Sequence, residues 1–466
     1  MSVPFQAGEA RGWTDGALRQ GREDARLAGV SIDTRTVAAG QLFVAIAGPN
    51  HDAHDYLQQA ADAGAGGLMI DRGRALPDGL DPALPVLEVE DTTRGLGALA
   101  AGHRGGFAGP VVGITGSNGK TTCKEMCAAV LESGAPTLKN RGNLNNNYGL
   151  PLTLLSREPE HARVVVELGM NHRGEIAELA RIARPGVGAV TNVGSAHIEY
   201  LGSRDAIAAE KGDLLAALPS EGTAVVPGED DYVEVLAGRS QATVLRFGTG
   251  PGNDVCAEKI RALDRGGFAF ALKTPGGDAP VEIAGLGEPT ILNALCAAAA
   301  AMAAGASLDE IHTGLGRYRP VGGRLERREL ASGVVVIDDS YNANPQSLEV
   351  ALRLLAGSGS GRRVAVIGDM GELGDATESA HREAGALVAH LDIDFLVAAG
   401  REAERVADGA SGAGMDPTRI HVVESSDAAG PPVREIVRRG DWVLVKGSRS
   451  MKMERVAEFL EAEARA

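Results

Sequence analysis

Four short runs between residues 111 and 228 (VVGIT, ARVVVELG, VGAVTNVG and TAVVPG) are apolar at almost every position. A strand with one wet face alternates polar and apolar residues. A strand covered on both faces does not. Helical stretches separate these runs, as parallel strands require, because each return to the same end needs a long crossover. Residues 108–320 are therefore expected to build a mostly parallel sheet with helices on both faces. The same rhythm returns in VVVIDDSY, RRVAVIGDM, FLVAAG, RIHVV and DWVLVKGS, so residues 321–466 read as a second, Rossmann-like unit. Residues 1–107 read as a smaller α/β unit. There VSIDTRTVAAGQLFVAIAG gives two apolar runs around a turn, and AHDYLQQAADAGAGGLMID gives a helix, a glycine turn and a strand. A chain of 466 residues accommodates about three domains at roughly 150 residues each. The glycine-rich stretch Thr249–Gly287 is expected to be a β-rich insertion.

The formal net charge of −16 disfavours a phosphate backbone as partner, so nucleic acid is not expected. No secretory leader opens the chain, and a cytoplasmic location is expected. The most apolar helical stretch, ILNALCAAAAAMAAGA, is shorter than ~20 residues and contains Asn293, so it reads as a buried helix and not a membrane span. Cys123, Cys127, Cys256 and Cys296 lack the spacing of a zinc site and read as small buried hydrophobes.

The run VVGIT continues as GSNGKTTCKEM: strand, tight glycine turn, helix. Such a turn aims backbone N–H groups at an anion, and the helix N-terminus adds positive potential. That potential is worth only ~0.3–2 kcal/mol, so a full charge is needed to hold a triphosphate. Lys120 supplies it, and the Thr121 hydroxyl is placed to ligate Mg²⁺. The central domain thus reads as a P-loop-type ATPase, although the first glycine of the usual pattern is displaced and its position is taken by Ile114. Glu167 closes a buried strand, where a lone acid is costly unless paired or metal-bound. His197 and Lys211 follow. From the third unit come Arg324 past a glycine pair, Asp338 and Asp339 at a strand end, and Lys446, Ser448 and Arg449 before a helix. A cation from a separate domain can meet a transferring phosphoryl group. A strand-end acid can hold a ribose, and the last cluster can seat a carboxylate.

Together these segments resemble the Mur ligase family of peptidoglycan synthesis. GITGSNGKTT has that family's displaced glycine. IDTRTVAAGQLFVAIAG and DAHDY resemble its N-terminal domain, NLNNNYGLPLTLL and VVELGMNHRGEIAEL its central domain, and DDSYNANP, VIGDMGELG and LVKGSRS its C-terminal domain. The resemblance implies ATP and Mg²⁺ as cofactors. It implies that residues Gly116, Ser117, Asn118, Gly119, Lys120, Thr121 and Thr122 hold the phosphates, with Asn293, Arg324 and Asp339 completing the nucleotide site. Thr121, Glu167 and His197 would bind metal. Lys211 aligns with a lysine carbamylated in some relatives. Asp33, Arg35, Asn143, Asn145, Asn342, Lys446 and Arg449 would contact substrates. The reaction implied is ATP-driven addition of D-alanyl-D-alanine to UDP-N-acetylmuramoyl-tripeptide by a monomer. One segment departs: relatives carry GxHNxxNA, whereas here GEPTILNA puts Pro289 and Thr290 at the His-Asn pair. Two further readings stay open on these residues, a folylpolyglutamate synthase and a nucleotide-gated binding protein with a decayed ligase site.

Overall fold

The computed structural model describes residues 2–264 and 266–465. Its secondary structure is mixed α/β, and three main sheets follow one another along the chain. The first has five strands in the order Ala17–Gln20, Val86–Val89, Gly67–Asp71, Leu42–Val44 and Val30–Ser31, parallel except for Ala17–Gln20 at its edge. A two-stranded ribbon, Phe5–Gln6 with Arg26–Leu27, lies beside it.

The second sheet has nine strands. Its order is Gly277–Ile283, Phe268–Thr274, Val255–Ala262, Thr243–Gly248, Thr223–Pro227, Val187–Val190, Val111–Thr115, Arg163–Glu167 and Thr137–Lys139. The last seven are parallel. The first two form an antiparallel meander on Val255–Ala262, which is the β-rich insertion expected from the glycine-rich stretch. Val111–Thr115 has its next two strands in sequence on one side and the following two on the other. This strand is thus a switch point, where the loops at the carboxyl ends diverge and leave a crevice.

The third sheet runs Glu326–Glu329, Val335–Asp339, Trp442–Lys446, Arg363–Gly368, Phe395–Ala399 and Ile420–Val423, parallel except for its first strand. Asp339 and Lys446 are register partners at the carboxyl ends of neighbouring strands.

Helix Glu288–Ala303 crosses the central sheet with Ala297 to Ala301 fully buried. Small side chains let it approach the strands closely, and no helix is long and apolar enough to cross a membrane among the described residues. Cys123 and Cys127 are buried in the core beneath it and Cys296 is buried on the helix itself, as expected, whereas Cys256, on strand Val255–Ala262, is only partly buried; all four are free thiols.

The joints between units differ. One hydrophobic core runs without a break from Phe5, Leu42 and Met69 through Leu96 and Leu99 of helix Thr92–Gly105 into Leu150, Leu154, Ile176 and Ile182. Arg104 adds bonds to the carbonyl oxygens of Ala183 (2.9 Å) and Arg184 (3.0 Å). The third unit has cores of its own, with Leu286 of the second unit packed against one of them, and polar side chains such as Asn344 and Gln346 also reach across.

Candidate active site

The Val111–Thr115 strand ends at Gly116, with φ 149°, and Gly119 caps helix Lys120–Glu132 at φ 80°. Both conformations suit glycine alone. Space forbids a side chain as well: a Cβ on Gly116 would lie 1.8 Å from Thr191 Oγ1, and one on Gly119 2.3 Å from Asn293 Oδ1. The loop between them is pinned. The Ser117 amide donates to the Asn192 carbonyl (3.0 Å), the Asn118 amide to Asn192 Oδ1 (3.0 Å), and the Gly194 amide to Ser117 Oγ (2.7 Å). Half-buried Lys120 folds over it, donating to the carbonyl oxygens of Gly116 (2.9 Å) and Ser117 (3.2 Å). Burial lowers the Lys120 pKa, and Glu167 opposes that shift.

Glu167 is 2% exposed. One carboxylate oxygen accepts from Thr121 Oγ1 (2.8 Å) and the other from Asn145 Nδ2 (2.7 Å). Its backbone N–H donates to Asn140 Oδ1 (2.7 Å), and Asn140 in turn holds the Leu144 carbonyl (2.6 Å) and takes the ammonium of buried Lys124 on its own carbonyl (2.7 Å). A buried carboxylate beside a hydroxyl is a hard-oxygen pair that suits Mg²⁺ better than a softer metal. Among the described residues no group of three or more His, Cys, Asp or Glu side chains is arranged to hold a metal by itself.

The opposing wall comes from the third unit. Arg324 lies 4.0 Å from the centroid of the Tyr341 ring, with Arg449 5.7 Å from the same ring. Lys446 is 2% exposed, 2.5 Å from Asp339 Oδ2, and also donates to the Asn342 carbonyl (2.9 Å). Asp339 Oδ1 accepts from the Leu325 amide (3.1 Å). Burial raises the Asp339 pKa, against the pull of Lys446. Several contacts bind this wall to the loop side, the Glu199 amide on the Glu372 carbonyl (3.4 Å) among them. Asn344 Nδ2 donates to Asn118 Oδ1 (2.8 Å), the Ser195 amide donates to Gln346 Oε1 (2.9 Å), and His197 Nδ1 lies 2.6 Å from Glu372 Oε2, off the hydrogen-bond axis.

Between the walls is a cleft of about 920 Å³. Ser117, Asn118, Gly119, Lys120, Thr121, Thr122, Asn143, Asn145, Glu167, His197, Asn293, Arg324, Asp339, Asn342, Lys446 and Arg449 all line it. Five residues singled out from the sequence do not. Asp338 is buried and pairs with Arg328 (2.6 Å) instead. Gly116 sits behind the loop. Lys211 is buried on helix Arg204–Ala216, and desolvation drives its amine pKa well down, helped by Lys120 and opposed by Glu210. Asp33 and Arg35 pair with each other in the first unit (2.6 Å), and that pairing brings the Asp33 pKa to about 2. The structure also gives Asp339 and Lys446 a partner that the sequence does not reveal, namely each other.

Sequence reading passed over Asn140, Thr191, Asn192, Asn344, Gln346, Glu372 and Tyr318. Tyr318 is 5% exposed beside Thr122, and burial pushes its pKa up to about 12. The only sequence signal for most of them is a polar residue just past an apolar strand.

A glycine-built anion loop, a buried oxygen pair and a facing wall of arginines together suit ATP-dependent activation of a carboxylate. Comparison with known proteins agrees. The family model of the Mur ligase middle domain matches residues 114–301, and that of the Mur ligase, glutamate ligase domain matches residues 323–449. The chain is 39% identical to the UDP-N-acetylmuramoyl-tripeptide–D-alanyl-D-alanine ligase of Escherichia coli (strain K12), over 94% of each chain. It is 35% identical to that of Bacillus subtilis (strain 168), over 93% of each. Its fold matches a crystal structure of MurF from Acinetobacter baumannii with a TM-score of 0.89, at 33% identity and 99% coverage of both chains. MurF ligase from Thermotoga maritima in complex with ADP matches with a TM-score of 0.82, at 29% identity, covering 94% of this chain and 98% of that one. A folylpolyglutamate synthase from Mycobacterium tuberculosis, at 19% identity, shares the fold alone. The chain belongs to the Mur ligase family.

Proposed function

We propose that this protein is an ATP-dependent amide ligase that joins D-alanyl-D-alanine to UDP-N-acetylmuramoyl-tripeptide, giving the UDP-linked pentapeptide, ADP and phosphate. One observation carries the reading: the loop with Lys120, the Thr121–Glu167 pair and the Arg324–Tyr341–Arg449 wall face one cleft from two different units.

A free carboxylate does not condense with an amine in water, because oxide is a poor leaving group. Here an oxygen of the tripeptide's terminal carboxylate attacks the γ-phosphorus of ATP, and the bond from that phosphorus to the ADP oxygen breaks. Lys120 and the loop amides hold the phosphates, and Arg324 neutralises charge on the transferring group from the opposite side. The amine of D-alanyl-D-alanine then attacks the acyl carbon, phosphate leaves, and the nitrogen loses a proton. Thr121 and Glu167 would hold Mg²⁺, with His197 at a second position, and the metal would supply charge neutralisation along the triphosphate. We assign Asn143, Asn145, Asn342 and Arg449, which line the cleft, to the peptide parts of the substrates, and residues 1–107, with Asp33 and Arg35, to the uridine nucleotide. Burial drives the Lys211 amine pKa well down, and a neutral amine is the form that adds carbon dioxide, so a carbamate there would bring a second carboxylate-like group near Lys120. The acyl phosphate must be kept from water, which calls for closure of the third unit on the second. We place the enzyme in the cytoplasm as a monomer.

The test is phosphate release with ATP, Mg²⁺, the UDP-linked tripeptide and D-alanyl-D-alanine, each left out in turn. All four are expected to be required. Release without the sugar nucleotide, or none with all four present, overturns the proposal.

A further inference from the structure

Strand Thr137–Lys139, at the edge of the central sheet, ends before its neighbour does. Lys139 is in register with Val165, but the neighbouring strand runs on to Glu167. The side chain of the next residue, Asn140, takes over. Its Oδ1 accepts from the Glu167 amide (2.7 Å), and its Nδ2 donates to the Glu167 carbonyl (3.3 Å). A carboxamide offers the same donor and acceptor as a peptide group, so it can stand in for the missing strand. The second Nδ2 hydrogen goes to the Leu144 carbonyl (2.6 Å). Asn140 is fully buried. Alanine there would leave the Glu167 amide unpaired, and aspartate would set an oxygen against two carbonyl oxygens.

Two other parts of the site meet at the same residue. Lys124, also fully buried, donates to the Asn140 carbonyl (2.7 Å) and pairs with Glu125 (2.8 Å). It stands one turn after Lys120 and Thr121 on helix Lys120–Glu132, so it ties the phosphate-loop helix to Asn140. On the other side, the anchored Leu144 leads into Asn145. The Asn145 Nδ2 reaches Glu167 Oε1 (2.7 Å), and its carbonyl takes the Gly169 amide (2.8 Å). The bonds thus form a closed circuit from Asn140 through Leu144 and Asn145 to Glu167 and back. Neither Asn140 nor Lys124 lines the cleft, so both act on it only through their partners.

We infer that Asn140, clamped by Lys124, is a positioning residue of the metal site: it fixes the Glu167 carboxylate against the Thr121 hydroxyl, so that the oxygen pair is set for Mg²⁺ before the ion arrives. This rests on the assignment of Thr121 and Glu167 to the metal in the ligase reading above. Groups that orient a metal ligand from behind change metal affinity by about 10–100-fold when they are removed.

The experiment titrates Mn²⁺ into the full chain with ADP present and follows water proton relaxation, which is enhanced when the ion sits on a slowly tumbling protein. Asn140→Ala is expected to raise the Mn²⁺ dissociation constant by about 10–100-fold, and a rise of less than about tenfold overturns the inference. Thr153→Val, which deletes a buried bond to the Gly149 carbonyl (2.8 Å), should lower the urea midpoint and leave the metal constant where it was. If it raises the constant as much as Asn140→Ala does, the effect is general loosening and the positioning role falls. Lys124→Met leaves Glu125 its pairing with Lys139 (2.9 Å) and decides the matter if Asn140→Ala does not fold. It is expected to raise the constant about threefold or more, and a smaller change overturns the inference. No relaxation enhancement with the wild-type protein would instead remove the metal from Thr121 and Glu167, which is a failure of the underlying assignment.

Discussion

The joint between the first and second units and the joint between the second and third solve opposite problems. Across the first, Leu96, Leu99, Leu150 and Ile182 belong to one continuous core, so parting the units would expose a large apolar surface. Across the second, the joint rests on polar contacts such as Asn344 to Asn118, Ser195 to Gln346, the Glu199 amide to the Glu372 carbonyl and His197 beside Glu372, with Leu286 packed on the third unit's core, around a wide cleft. Water can replace each of these polar partners at small cost. The first joint therefore resists opening and the second permits it. That is the division an enzyme needs if one substrate platform must stay fixed while a second wall closes on ATP.

Mutations should separate the two joints. The largest effect belongs to Leu99→Ala, a fully buried residue of the shared core, which should lower unfolding stability by about 2–5 kcal/mol in urea titration. A loss well under 1 kcal/mol would mean the first joint is not a single core. Next, Lys120→Ala should reduce kcat by about 10²–10³ while the urea midpoint barely moves, because Lys120 lies on the cleft and not in the core. Near-normal turnover would remove Lys120 from the mechanism.

Tyr318→Phe deletes a phenol beside Thr122 at the entrance to the third unit and should cost about 1 kcal/mol. The same group gives a pH signature. Its folded pKa of about 12 exceeds the ordinary value of 10.0, so its contribution to stability is full below pH 10 and is lost as pH rises toward 12. Ultraviolet titration should find a tyrosine that ionises late in the native protein and is missing from the variant. The smallest effect is expected for Glu372→Gln. Glu372 is partly exposed, so the variant should lose less than about 1 kcal/mol. Solution scattering should nevertheless show a larger average radius as the third unit swings free more often. An unchanged radius would mean that the polar joint does not depend on this contact.

Much of this was readable from the sequence where chemistry is local. The strand, glycine turn and helix around Lys120 are consecutive residues, and Glu167 stood out as an acid closing an apolar strand. Several strands were not read, among them Ala17–Gln20, Val86–Val89, Thr137–Lys139 and the two that follow. Glu326–Glu329 is all charge, ERRE, and owes its form to antiparallel pairing with Val335–Asp339. Thr243–Gly248 lacks a clean run and is held by its neighbours Thr223–Pro227 and Val255–Ala262. Long-range partnerships were equally hidden. Lys446 meets Asp339 only because their strands are adjacent and in register, a tertiary fact that no residue spacing reveals.

The unbroken core between the first two units bears on how this gene could be divided. A fragment beginning at residue 108 would leave Leu150, Leu154, Ile176 and Ile182 facing solvent, an invitation to clump. Scissors placed near Val321 would instead cut between self-contained packings, so the two halves could be expressed apart and mixed again in a tube.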